Sequence, residues 1–309
     1  MAWLKRWLRT ILFFPLTRMI VAITAIVSAL ILETISLRRL GDAMGWLDRD
    51  WFVMLSGAAG ILTACLVYAG YVRVFERRAT AELSTRAAGR EFAAGTALGS
   101  GLFTATVACL WLGGWYRLEG FGSWPSAMVV VQIGLVPAFV EEIIIRGVLF
   151  RITEESLGTW IAVTASALLF GLLHILNPGA TLVATLCIAL EAGVLLALAF
   201  VMTRRLWLPI GLHFGWNFTQ GGIFGLAVSG GQSEGLLRST LAGPELLSGG
   251  AFGAEASLFA VLVCGSLSIY LISRARREDR LVRPFWSRPL EPGESLVAGE
   301  QAADATLEV

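Results

Sequence analysis

Long apolar runs, each near the length of a bilayer crossing, alternate along this chain with short clusters of charge. A helix needs about 20 apolar residues to cross the hydrocarbon. By that measure eight spans are expected, at 19–35, 51–72, 92–115, 126–150, 159–176, 181–202, 206–228 and 251–272. Between them, 73–90 is charged and helix-prone and reads as a surface or interfacial helix. Residues 120–125 make a turn with an interfacial Trp124, 151–158 read as a polar connection, and Asn177-Pro178-Gly179 is a strong breaker. Residues 229–250 form a Gly/Ser-rich loop, placed to cover the outer mouth of the helices. The expected fold is all-α: a polytopic membrane helix bundle with about eight transmembrane helices. Residues 1–283 then form a single membrane-embedded domain, and 284–309 a disordered cytoplasmic tail.

The charges between the spans fix an orientation, because Lys and Arg concentrate on the cytoplasmic side. With eight spans and the N-terminus inside, the outer segments hold only Arg38, Arg39, Arg49, Arg117 and Arg238. Every other Lys and Arg except Arg146 falls inside, including Lys5, Arg18, Arg78, Arg204, Arg205 and the run from Arg274 to Arg288. Both termini are therefore expected in the cytoplasm. The start, with Lys5, Arg6 and Arg9, superficially resembles a signal peptide, but Arg18 interrupts its apolar region and no small-residue cleavage site follows, so it reads as retained.

Composition agrees with this class. The chain is 56% hydrophobic and only 15% charged, against roughly 25% charge in soluble domains, and its mean hydropathy is +0.72. A net charge of +1 gives no basic surface for nucleic acid. Cys65, Cys109, Cys187 and Cys264 stand singly in apolar runs without metal-type spacing and read as small buried hydrophobes. The Gly-rich loop lacks a GK[ST] ending, so it is not read as a phosphate cradle.

Against that background one stretch stands out. Val140 to Gly147 puts Glu141, Glu142 and Arg146 into an otherwise apolar span, where each charge costs at least a few kcal/mol unless it faces protein or a wet cavity. On a helix Glu142 and Arg146 share a face, whereas Glu141 points about 100° away. The pairing expected is Glu142 with Arg146, leaving Glu141 for a cavity. The chain's two histidines, His174 and His213, also lie in apolar runs, with Phe170 and Asn217 on their respective faces. Gly171, Gly211 and Gly215 beside them allow close helix approach or room for a substrate backbone. Each group alone has a structural explanation: an ion pair between helices, an interhelical hydrogen bond, polar glue. Glu191 at mid-span reads as a buried structural partner or a cavity acid. Together on three spans, with the others almost free of such groups, they point to chemistry.

The motifs Glu-Glu-x-x-x-Arg (Glu141, Glu142, Arg146), Phe-x-x-x-His (Phe170, His174) and His-x-x-x-Asn (His213, Asn217) resemble those of the CPBP intramembrane proteases. That family includes the type II CAAX prenyl endopeptidases and bacterial abortive-infection relatives. The resemblance covers about 126–228, and no motif position departs from it. It implies an endopeptidase acting on membrane-associated peptides or proteins in the lipid bilayer, prenylated or not, in a bacterial inner membrane. Glu141 and His174 would hold and activate the water, and His213 and Asn217 would stabilise the oxyanion. Glu142 and Arg146 would support Glu141. If a metal takes part, a zinc ion on Glu141, His174 and His213 is the chemically reasonable set; Asn217, a poor zinc ligand and a good oxyanion donor, favours a metal-free site. A proton-coupled transporter and a non-catalytic membrane scaffold or immunity protein are the competing classes. The spans raise one geometric difficulty: Glu141 and His213 lie about 10–15 Å from the cytoplasmic side, and His174 about 20 Å or more.

Overall fold

A computed structural model of the chain describes residues 12–47 and 49–288. Helix α1 (Pro15–Met44) is followed by α2 (Asp50–Gly70), which widens into a π-helical turn at Tyr71–Phe75. After α3 (Ala88–Leu112) and strand β1 (Tyr116–Phe121), α4 (Trp124–Glu142) runs through a π-helical stretch, Ile143–Phe150, into α5 (Arg151–Leu157). Helix α6 (Thr159–Leu173) ends in a 3-10 turn at His174–Leu176. Helices α7 (Leu182–Ile188) and α8 (Val194–Thr203) are joined by π-helical Ala189–Gly193. Helix α9 (Trp207–Asn217) continues into π-helical Phe218–Ile223. Strand β2 (Leu237–Leu241), the short α10 (Glu245–Ser248) and α11 (Leu258–Arg277) complete the chain.

Seven helices among the described residues are long and apolar enough to cross a membrane, and the protein is an all-α polytopic membrane bundle whose sheet is a single two-stranded pair. The seventh expected span, 206–228, is not among them: it is shorter than proposed from sequence and ends at Ile223. Its surroundings explain this. Ile210, Leu212, His213, Trp216 and Asn217 are all buried, so α9 is wrapped by protein and its length need not match lipid. Its packing on α3 is a reciprocal glycine seam. A Cβ at Gly95 or Gly99 would collide with the backbone of α9, and one at Gly211 or Gly215 with the carbonyls of Phe92 and Thr96. The glycines of α9 thus serve close approach between helices.

Three connections differ from the sequence reading. Residues 73–90 are not one surface helix. The backbone turns at Arg77 and Ala87, both at positive φ, with a single 3-10 turn at Ala81–Leu83 between them. The cause is a buried ion network: Glu76 accepts from Arg18, Arg78 and Arg151, and Glu82 pairs with Arg78. Burial alone would raise the Glu76 carboxyl, but Arg151 and Arg18 outweigh it and hold the group at about 2. Residues 151–157 continue as helix rather than a polar connection, because Arg151 and Glu155 pair across one turn (2.6 Å). The loop 229–250 contains β2, antiparallel to β1 across the top of the bundle.

The ion network, with Arg204–Glu154, Arg205–Glu91 and Arg280 on the Met202 carbonyl, gathers the basic connections onto one face. Both ends of the described chain lie there, since Arg18 bonds the Glu155 carboxylate and Arg288 its carbonyl. The β1–β2 sheet and the turn after α1 lie on the opposite face. The proposed tail begins at this basic face with a 3-10 turn at Phe285–Ser287; 289–309 lie outside the described residues.

Candidate active site

The three motif helices converge. Arg146 is fully buried and donates from Nη1 to Glu142 Oε1 at 2.7 Å, the expected i,i+4 pair. A second guanidinium nitrogen reaches the Gly193 carbonyl at 3.0 Å, tying α4 to the π-helical turn between α7 and α8. The pairing goes further than spacing implied, because Glu142 Oε1 also stands 3.2 Å from His213 Nδ1. A carboxylate accepts, so this contact puts the Nδ1 proton of His213 toward Glu142 and leaves Nε2 for the site. His213 Nε2 lies 4.0 Å from Glu141 Oε2.

His174 is held by a local rule. Its Nδ1 is 2.7 Å from the Phe170 carbonyl at the end of α6; a carbonyl only accepts, so Nδ1 carries the proton and Nε2 has an open lone pair. Phe170 sits between the groups, its ring 4.9 Å from the His174 ring, 5.9 Å edge-on from that of His213 and 4.6 Å from the Arg146 guanidinium carbon. The reading from sequence gave Phe170 no part beyond sharing a face with His174.

Two spaces meet at this cluster. A cleft of about 870 Å³ lies between α1, α2 and α4 and ends at Glu141; its walls are mostly apolar, with Glu33, Thr34, Arg38, Ser56 and Gln132 as polar exceptions. Glu141 is about one-third exposed, and its Oε2 has no hydrogen-bond partner among the described residues. On the far side of His213 a cavity of about 30 Å³ is lined by His174, His213, Asn217, Glu191, Ser229 and Glu255. His213 reaches both: its Nε2 is 4.0 Å from Glu141, and its ring lines the cavity shared by His174 and Asn217.

Glu191 is 2% exposed and lines this cavity. Glu255 was missed by sequence reasoning: it sits before α11 in a loop, far from any motif. It is as buried as Glu191 and accepts from the Ser229 backbone N–H. Burial pushes its carboxyl up to about 7 against the opposing hydrogen bonds of Ser229 and Gln220. The advance signal was an acid inside the expected span 251–272.

A zinc ion does not fit the proposed set. Among the described residues no three His, Cys, Asp or Glu side chains stand close enough together to hold a metal. Glu141 lines the large cleft and His174 the small cavity.

The depth difficulty narrows on one side: α4 and its continuation run past 150 to Leu157, setting Glu141 further from that end than the sequence count gave.

Fold and site together define a polytopic helical membrane protein with an acid–histidine cluster buried beside a deep cleft. Residues 122–219, which carry all seven motif residues, match the family described as Type II CAAX prenyl endopeptidase Rce1-like. The match bears out the resemblance to CPBP intramembrane proteases, and the activity it supports in general is that of a CAAX-type intramembrane endopeptidase. No curated protein and no solved structure matches the chain.

Proposed function

We propose that this protein hydrolyses peptide bonds of membrane-associated substrates, with Glu141 as general base. One observation carries the reading: a carboxylate with an unpartnered oxygen ends a substrate-sized cleft, with a histidine of fixed tautomer 4.0 Å behind it. Ligand-binding clefts run to about 300–1,000 Å³, and this one is near the top of that range.

In the reaction Glu141 takes a proton from water and the oxygen attacks the scissile carbonyl carbon. His174 Nε2 serves as a second acceptor for that water. The carbonyl oxygen becomes an oxyanion, met by the Asn217 amide and by His213. With its Nδ1 proton committed to Glu142, His213 donates to that oxyanion from Nε2 only as an imidazolium. Glu141 then returns its proton to the leaving nitrogen as the C–N bond breaks. Glu142 and Arg146 fix the ring of His213. No step runs through a metal. The location is proposed as a bacterial inner membrane, with the basic face cytoplasmic.

The test is cleavage of quenched fluorescent peptides, one prenylated at a C-terminal cysteine and one not, by protein reconstituted in liposomes. Wild type cleaves at least one; Glu141→Gln and His174→Ala, folded to the same melting temperature, do not. Full turnover by Glu141→Gln rules the assignment out. The prenylated and plain peptides separate a CAAX-type substrate from other membrane peptides.

A further inference from the structure

The cleft is one-sided. Its walls come from Leu30 to Arg38 in α1, Phe52 to Gly60 in α2 and Val129 to Glu141 in α4, with Leu47 in the turn between α1 and α2. All belong to the half of the bundle away from the basic face. In the other half the same three helices close completely. Ala22, Ile26, Ala64, Tyr68 and Val148 are fully buried there, and the Tyr68 hydroxyl donates to the Gly147 carbonyl at 3.0 Å across the seam. The helices thus splay from a packed base, and Glu141 stands at the bottom of the opening. Gln132 spans the wedge, donating to the Val53 carbonyl at 2.7 Å.

The cleft carries three charged groups. Besides Glu141 at its bottom, Glu33 and Arg38 line it from α1, and Glu33 Oε1 is buried without a partner among the described residues. Two carboxylates with spare acceptors in an apolar groove suit a ligand that brings N–H donors and an apolar body. An extended peptide segment does both, since its backbone N–H groups are unpaired until it binds.

We propose that the substrate reaches Glu141 from the half of the bilayer opposite the basic face, as an extended apolar segment of a membrane protein whose N–H donors meet Glu33. This rests on the endopeptidase reading and deepens it. A soluble C-terminal tail arriving from the basic face meets the closed packing of Tyr68 and Gly147 instead. Glu33 is a specificity residue here, and Glu141 remains the base.

The test uses Ser56→Cys, a small change on the cleft wall, expressed in a bacterial inner membrane. A C-terminal reporter identifies the cytoplasmic face. A membrane-impermeant thiol reagent is added to right-side-out spheroplasts and, separately, to inverted vesicles, with wild type reporting any background from Cys65 and Cys109. Labelling of Ser56→Cys above that background from the spheroplast side only, with loss of its own turnover, is expected. Labelling only from inverted vesicles, from both sides equally or from neither overturns the access route. The labelling needs no proteolysis, so it stands or falls apart from the enzymatic reading; absence of cleavage by wild type in detergent would count against that reading alone. Glu33→Gln tests the recognition: KM for an apolar membrane peptide rises about 5-fold or more with kcat held, as expected for lost binding outside the reacting atoms. An unchanged KM removes Glu33 from the proposal.

Discussion

Glu142 and His213, 71 residues apart, meet through a 3.2 Å contact on the same carboxylate oxygen that accepts from Arg146 at 2.7 Å. One oxygen thus locks the ion pair of α4 to the ring of α9. Glu142 and Arg146 side chains are both fully buried, so neither can be removed alone without stranding the other.

Replacing Glu142 by Gln should cost about 3–5 kcal/mol, the range for breaking a buried pair from one side. In a chain of this size that lowers Tm by roughly 6–15 °C. The double variant Glu142→Gln/Arg146→Met should melt above Glu142→Gln while remaining inactive, because it removes the stranded charge without restoring the hold on His213. Differential scanning fluorimetry in detergent, beside a cleavage assay, checks both halves.

Glu141→Gln should behave in the opposite way. Its carboxylate is one-third exposed and has an unpartnered oxygen, so melting should stay within about 2 °C of wild type while turnover falls about 10²–10⁴-fold. A variant that melts early would instead give Glu141 a structural role.

Phe170→Ala removes the spacer between both histidines and Arg146. A loss of about 3–5 kcal/mol in stability is expected from the cavity. Phe170→Leu should recover most of the stability and less of the kcat, since a branched aliphatic side chain fills volume without holding the histidine rings edge-on or facing the guanidinium. Comparing Tm and kcat across the two variants separates packing from positioning.

Glu76 predicts a pH dependence. Its carboxyl lies at about 2 in the folded protein, below the ordinary value near 4.3. A depressed carboxylate stabilises above its unfolded value and loses that contribution as pH falls through the folded one. The Tm gap between wild type and Glu76→Gln should therefore be constant from pH 6 to 8 and close as pH drops from about 4 toward 2. A gap that widens on acidification contradicts the sign.

What the sequence made readable was whatever depends on local periodicity. The apolar runs set out the spans, and i,i+4 spacing paired Glu142 with Arg146 and left Glu141 to a cavity. Contacts joining distant segments were not readable. The bond from Glu142 to His213, the approach of Glu141 to His213, and the burial of Glu255 all depend on how α4, α6 and α9 are tilted and how deep each begins. The linker 73–90 misled for a related reason: its charges look solvated in sequence, but Arg18 and Arg151, from two other helices, bury Glu76.

The π-helical stretches give the site a sensitivity to chain length. One begins directly after Glu142, one directly after Asn217, and a third contains Glu191. A π stretch holds more residues per turn than an α-helix, so a residue deleted within 147–150 leaves Glu141–Arg146 intact. Where the wide turn does not rewind to absorb the loss, everything beyond the deletion rotates by about 100°, carrying Arg151 away from Glu76 with hardly any change in composition or hydropathy. Relatives that keep every motif residue but differ by one residue in that interval would preserve the signature and lose the alignment. The number of residues between the motifs is therefore as much a part of this site as the residues themselves.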